Sequence, residues 1–212
     1  WYDETEKAVE ALNARDDIDF VLHGGDLSDF GLKKEFMWQR DILNRLRVPY
    51  VCLLGNHDCQ GTGEAVFEKI FGPSDFAFTA ADVRFVCLNT NAMEYDYSHP
   101  VPDFDFLEHE YGSFAPPARR TIFAMHVRPY DFQFNNNVAK VFEHYVVRFP
   151  QPLCCIFGQG AKDAPCQWLR LRFVRHGRGW TRALPHAPAA SPESTWTWAC
   201  LQLPLPQTKA PV

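Results

Sequence analysis

Three short stretches of this chain concentrate residue types that bind cations and move protons. Gly24-Gly25-Asp26-Leu27-Ser28-Asp29 follows one apolar run, Gly55-Asn56-His57-Asp58 follows a second, and His126 follows Met125 at the end of a third. A carboxylate, an amide oxygen and imidazole nitrogens together form a donor set suited to Mn, Fe, Zn or Mg. An imidazole titrates near neutrality, so His57 is fitted to act as an acid without large tuning. Taken singly, each feature has a plain structural explanation: Asp26 as a turn residue, Asn56 or Asp58 as a helix cap, His126 as a packed histidine. Their joint occurrence at the ends of three apolar runs favours a shared site.

The elements that must position them alternate along the chain. Helical spacing of Thr5, Ala8, Val9 and Leu12 opens it. Apolar strands are predicted at 19–23, 50–54, 121–125 and 153–157, with helices at 33–46, 64–71, 103–111 and 137–149. Strand-like runs 76–79 and 83–88 flank Ala80-Ala81-Asp82 and predict a hairpin. Apolar strands alternating with amphipathic helices imply a layered α/β fold. Sites in such folds form in the crevice beyond the carboxyl ends of the strands. Asp26, Asn56, His57 and His126 are therefore expected to converge, although they are far apart in sequence.

GGDLSD followed about 30 residues later by GNHD, and then by a strand ending in Met-His, resembles the calcineurin-like metallophosphoesterase family over residues 1–158. The family pattern runs Asp-x-His, Gly-Asp-x-x-Asp, Gly-Asn-His-Asp, His, Gly-His-x-His. The resemblance implies a four-layer αββα sandwich and a site with two divalent metal ions. It implies hydrolysis of a small phosphomonoester or phosphodiester through metal-bound hydroxide, since two cations clamp a phosphate and stabilise the attacking and leaving oxygens. Carried onto this chain, Asp26 bridges the two metals, and Asn56 and His126 ligate the second. His57 lies near the phosphate as catalytic acid, Asp58 orients His57, and Asp29 holds the loop.

Two of the five blocks are missing. Asp-x-His would end a strand preceding the first helix, and the chain opens at Trp1; the expectation is a truncated start. The last block reads Gly158-Gln159-Gly160-Ala161 in place of Gly-His-x-His. Composition changes at the same point: residues 1–158 carry 24 Asp and Glu against 14 Lys and Arg, whereas 159–212 carry 2 against 7. The expected organisation is a phosphoesterase domain at 1–158, incomplete at its first and last strands, followed by a Pro-, Trp- and Arg-rich tail that is disordered or read out of frame. Gln159 could lend the second metal a weaker oxygen. The remaining ligands predict at most one bound metal, held weakly, and poor hydrolysis. The alternative is a catalytically impaired fragment or pseudo-enzyme of the family, and the exposed apolar surface of an incomplete sheet predicts marginal folding.

A net charge of −5 over 212 residues argues against a broad nucleic-acid surface, which needs clustered Lys and Arg. Neither a signal peptide nor an apolar run long enough for a transmembrane helix is evident. The odd number of cysteines, seven, leans toward a reducing, cytoplasmic setting. Compartment and oligomeric state stay unassigned. His23 is expected to be structural, Arg128 to meet phosphate or solvent, and the aromatic loop 89–102 to wall the cleft or pack on itself.

Overall fold

The computed structural model describes residues 2–158 and, beyond them, the backbone of three short strands. The helices are α1 (Tyr2–Asn13), α2 (Lys33–Leu43), α3 (Gly63–Phe71), α4 (Phe104–Gly112) and α5 (Ala139–Arg148). The strands are β1 (Phe20–His23), β2 (Tyr50–Cys52), β3 (Phe76–Ala80), β4 (Val83–Leu88), β5 (Arg120–Met125) and β6 (Pro152–Phe157), then β7 (Phe173–His176), β8 (Gly179–Arg182) and β9 (Trp198–Leu201). Every predicted element is present, most within two residues of its expected bounds. The ends of α2 at Leu43 and β2 at Cys52 come earlier than expected. The expected character of residues 159–212 concerns positions that lie, apart from β7–β9, outside the described residues, as does Gln159.

Two sheets matter for the site. One has the order β2-β1-β9, with β1 and β2 parallel and β9 antiparallel to β1. The other has the order β3-β4-β5-β6, in which β3–β4 is the antiparallel hairpin and β4, β5 and β6 run parallel.

Side-chain alternation along the strands produces the layering, because successive residues point to opposite faces. From β4, Val83, Phe85 and Cys87 enter one core with Ile122 and Ala124 of β5, and there they meet Phe20 and Leu22 of the other sheet and Leu53 just past β2. The intervening Val86, Phe123 and Met125 face away, into a second core with Leu107 of α4 and Phe142 of α5. On the far side, Cys52 and Leu54 pack with Val9 of α1, Phe36 and Leu43 of α2, and Phe67 of α3. Helices, sheet, sheet, helices: this is the four-layer α/β sandwich that the resemblance implied. Among the described residues no helix is long and apolar enough to cross a membrane.

The sheet-to-sheet core is bound by aromatic packing. Phe85 stacks on Phe78 at 4.8 Å and meets Phe20 edge-on at 5.4 Å, joining the sheets whose ends carry the site residues. Phe85→Ala is expected to cost about 3–5 kcal/mol in urea unfolding. Val141→Ala on the outer face of α5, where Val141 is 47% exposed, should stay within about 0.5 kcal/mol.

Candidate functional site

The carboxyl ends of β1, β2, β5 and β6 open onto one rim, and the turns that leave them bring the chemistry together. After β1 the chain reverses through Gly24 and Gly25, and Asp26 sits at φ 58°, a left-handed conformation uncommon outside glycine and often found at functional sites. Gly55 touches this turn so closely that a Cβ there would overlap the Asp26 backbone nitrogen and Oδ1. Only glycine lets the two turns meet. Gly158, at the end of β6, is equally constrained: a Cβ would overlap the Gly24 carbonyl oxygen and lie 2.6 Å from His126 Nδ1.

Asp26, Asn56 and His126 converge as the spacing suggested. Asp26 Oδ2 lies 3.3 Å from His126 Nε2, and Asn56 Oδ1 lies 3.1 Å from the same nitrogen. His126 is 2% exposed, and its other ring nitrogen lies 2.6 Å from the Gly24 carbonyl oxygen. A carbonyl only accepts, so Nδ1 carries a hydrogen and Nε2 is turned toward the two oxygens. A neutral ring there would aim its lone pair at two acceptors. The cluster therefore calls for a positive charge at Nε2, either a proton or a cation. Burial alone pushes the His126 pKa down, but the hydrogen bond and charge of Asp26 outweigh it and raise the pKa overall. Asp26 mirrors this: burial pushes it up, while the His126 bond and charge prevail and hold it low. This donor set fits a divalent cation. Among the described residues no group of three or more His, Cys, Asp and Glu side chains is placed to hold a metal; here the third donor is the amide of Asn56.

His126 is steadied from behind. The buried Thr90 hydroxyl donates to the Val127 carbonyl at 2.8 Å and accepts from the Val127 N–H at 3.0 Å, pinning the chain just past His126. Sequence spacing gave no signal for Thr90.

Asp58 corrects an expectation. Its carboxylate does not orient His57. It is fully buried and accepts from the Gly55 and Leu27 N–H groups at 2.9 and 3.1 Å, and from the Ser28 N–H and hydroxyl, both at 2.8 Å. Four donors fill the acceptor capacity of two carboxylate oxygens. Burial and the nearby Asp26 charge push its pKa to about 6, against the pull of these donors. His57 is positioned by backbone instead. Its N–H donates to Asp26 Oδ1 at 3.1 Å, and its Nδ1 lies 3.0 Å from the Asp29 carbonyl oxygen. Asp29 thus contributes through its main chain. With Nδ1 donating to that carbonyl, Nε2 carries the lone pair of the neutral ring.

The secondary candidates also find places. His23 is buried, and its Nδ1 accepts from the Gly25 N–H at 3.3 Å. Arg128 is paired with Asp131 at 3.7 Å. The 89–102 loop is tied to the site, since the Asn91 side chain donates to the Leu54 carbonyl at 3.0 Å, just before the Gly55 turn. Its single 3-10 turn, Ala92–Tyr95, carries Glu94, whose pKa is raised by partial burial, with the His57 charge opposing and the Asp26 charge adding. No motif marks Glu94, so the sequence left it unremarked.

Residues 1–158 match the calcineurin-like phosphoesterase family. A 3',5'-cyclic-nucleotide phosphodiesterase of Nostoc sp. is 26% identical over 160 residues, covering 72% of this chain and 58% of its own length. The chain therefore spans rather more than half of that relative.

Two outcomes follow from this geometry. Asp58→Asn sets an amide NH2 against backbone donors and should destabilise the fold by about 3 kcal/mol, read by chemical denaturation, whereas His57→Ala should leave stability nearly unchanged. The second concerns pH. Burial pushes the His23 pKa from 6.5 to about 4, so between those values the unfolded chain binds the extra proton. The His23 contribution to stability is whole above pH 6.5 and falls as the pH drops to 4, by about 3 kcal/mol in all at about 1.4 kcal/mol per pH unit. Asp58, with its raised pKa, contributes in the opposite sense over part of that range. The test is therefore the difference between the parent and His23→Gln: the parent should lose more stability from pH 7 to 4.

Proposed function

The chain belongs to the calcineurin-like phosphoesterase family, and from that premise we propose that it is a divalent-metal-dependent hydrolase of a small phosphoester, acting on a phosphodiester in preference to a monoester. The observation that carries this reading is the meeting of Asp26 Oδ2, Asn56 Oδ1 and His126 Nε2 around one point that demands positive charge. The diester preference draws on the cyclic-nucleotide phosphodiesterase named among its relatives.

Asp26, Asn56 and His126 would hold the cation. A divalent ion supplies Lewis acidity toward phosphate oxygens and water. The protein's own groups do the rest. The Gly24 carbonyl fixes the tautomer of His126, as partners of ligating histidines commonly do. The glycine turns let the two loops close on each other beside Asp26. His57, held through its backbone N–H and Nδ1, presents Nε2 as the proton donor to the departing alkoxide. Asp58 keeps the two turns in register.

A second reading is favoured by one specific observation: the described residues supply one such donor set. That matches a chain binding a single cation with impaired turnover. Manganese titration followed by elemental analysis, together with hydrolysis of bis(p-nitrophenyl) phosphate, separates the two. About one Mn per chain with turnover supports the hydrolase; about one without turnover supports the binding-only form; no bound Mn removes both. Asp26→Asn should weaken Mn binding by more than about tenfold and abolish any turnover, and unchanged binding would show that Asp26 is not a ligand.

A further inference from the structure

Two loops leave the site rim side by side: 89–102 after β4, and 127–136 after β5 and His126. They are laced together. The Met93 N–H donates to the Gln133 carbonyl at 3.3 Å, and the Tyr97 hydroxyl to the Phe132 carbonyl at 3.4 Å. They also leave large apolar side chains in solvent. Phe132 is 71% exposed, Tyr97 49% and Met93 46%. Asp96 and Tyr97 are consecutive non-glycine residues at φ 48° and 56°, a costly backbone to hold merely to present a tyrosine to water. Tyr130 is exposed too, but its hydroxyl donates to Glu143 of α5 at 2.9 Å, which directs it away.

The charge of this rim narrows what it can take. Its acidic residues are Glu94, Asp96 and Asp131, and Arg128, its one Lys or Arg, is paired with Asp131. Nothing there invites a second phosphate. Glu94 lies on the 3-10 turn Ala92–Tyr95, whose Tyr95 hydroxyl lies 3.7 Å from Cys59 Sγ, two residues past His57, so its carboxylate would repel a dianionic phosphomonoester more than a monoanionic diester.

We propose that Met93, Tyr97 and Phe132 form a stacking platform for an uncharged, planar aromatic arm of the substrate, and that Glu94 beside it selects a phosphodiester over a monoester. The proposal deepens the phosphoester reading and rests on it for the position of the phosphate. The platform supplies faces for ring stacking; the carboxylate supplies charge discrimination, which works by penalising the wrong ligand.

The experiment measures binding with Mn present, by ligand-observed NMR, for three probes: diphenyl phosphate, dimethyl phosphate and phenyl phosphate. Diphenyl phosphate is expected to bind about tenfold or more tightly than dimethyl phosphate. Phe132→Ser and Tyr97→Ser together should reduce that ratio below about threefold, with the melting temperature little changed because both side chains are exposed. Glu94→Gln should strengthen phenyl phosphate binding severalfold and diphenyl phosphate binding by a smaller factor. Equal binding of the two diesters, or a ratio indifferent to the double substitution, overturns the platform while the phosphate site stands. An unchanged monoester-to-diester ratio in Glu94→Gln overturns the charge filter. If no phosphate probe binds, the phosphoester reading falls. The platform is then judged by adenosine alone, whose base protons must receive saturation from the parent and not from the double variant.

Discussion

A buried carboxylate holds this site together. Asp58 lies between two turns that belong to different strands, and it accepts from both: from Gly55 in its own turn, and from Leu27 and Ser28 in the turn after β1. Strand pairing of β1 with β2 brings the turns near each other, but only in register along the strands. The Asp58 bonds set the remaining freedom, which is how the loops lean together beyond the sheet edge. Asp26 and Asn56 ride on those loops. Their separation from His126, which arrives from the second sheet, is therefore a consequence of one fully satisfied carboxylate and of the aromatic core that fastens sheet to sheet.

The same geometry explains why the site is polar and yet tolerated in a buried place. Buried charge is costly unless paired. Here the negative carboxylate of Asp26 and the carbonyl-directed ring of His126 neutralise one another while a proton occupies Nε2. A cation entering the cluster would compete with that proton for the same lone pair, so its binding would release a proton. Without a positive charge at Nε2, the ring would set its lone pair against the oxygens of Asp26 and Asn56.

How much of this was legible beforehand depends on the range of the forces involved. Element type and order followed from apolar periodicity, a local property, and every helix and strand of residues 2–158 was anticipated in kind. The meeting of Asp26, Asn56 and His126 followed from their position at strand ends, because parallel strands point their carboxyl ends the same way. The role of Asp58 did not follow. Next to His57 in sequence, it looks like its orienting partner, but the turn carries its carboxylate inward to N–H groups about 30 residues away. Backbone acceptors leave no mark in a sequence, so the carbonyls of Gly24 and Asp29, which fix the tautomers of His126 and His57, were equally invisible. Glu94 and Thr90 act through loop packing that no spacing encodes.

The two loops beyond β4 and β5 show where a fixed scaffold leaves room for choice. Thr90 and Asn91 anchor the first loop to Val127 and to Leu54, which are the residues adjoining His126 and the Gly55 turn. The anchoring residues are thus the same ones that secure the donor set, so the loop cannot shift without disturbing it. Past those anchors the side chains turn outward, and their character changes from buried amide and hydroxyl to exposed aromatic and acid. Such a loop is fixed at its base by these bonds and chemically distinct at its tip. Substitution at the exposed positions 93, 94, 97 and 132 would therefore change the tip of the rim without touching the stapled turns that carry Asp26 and Asn56.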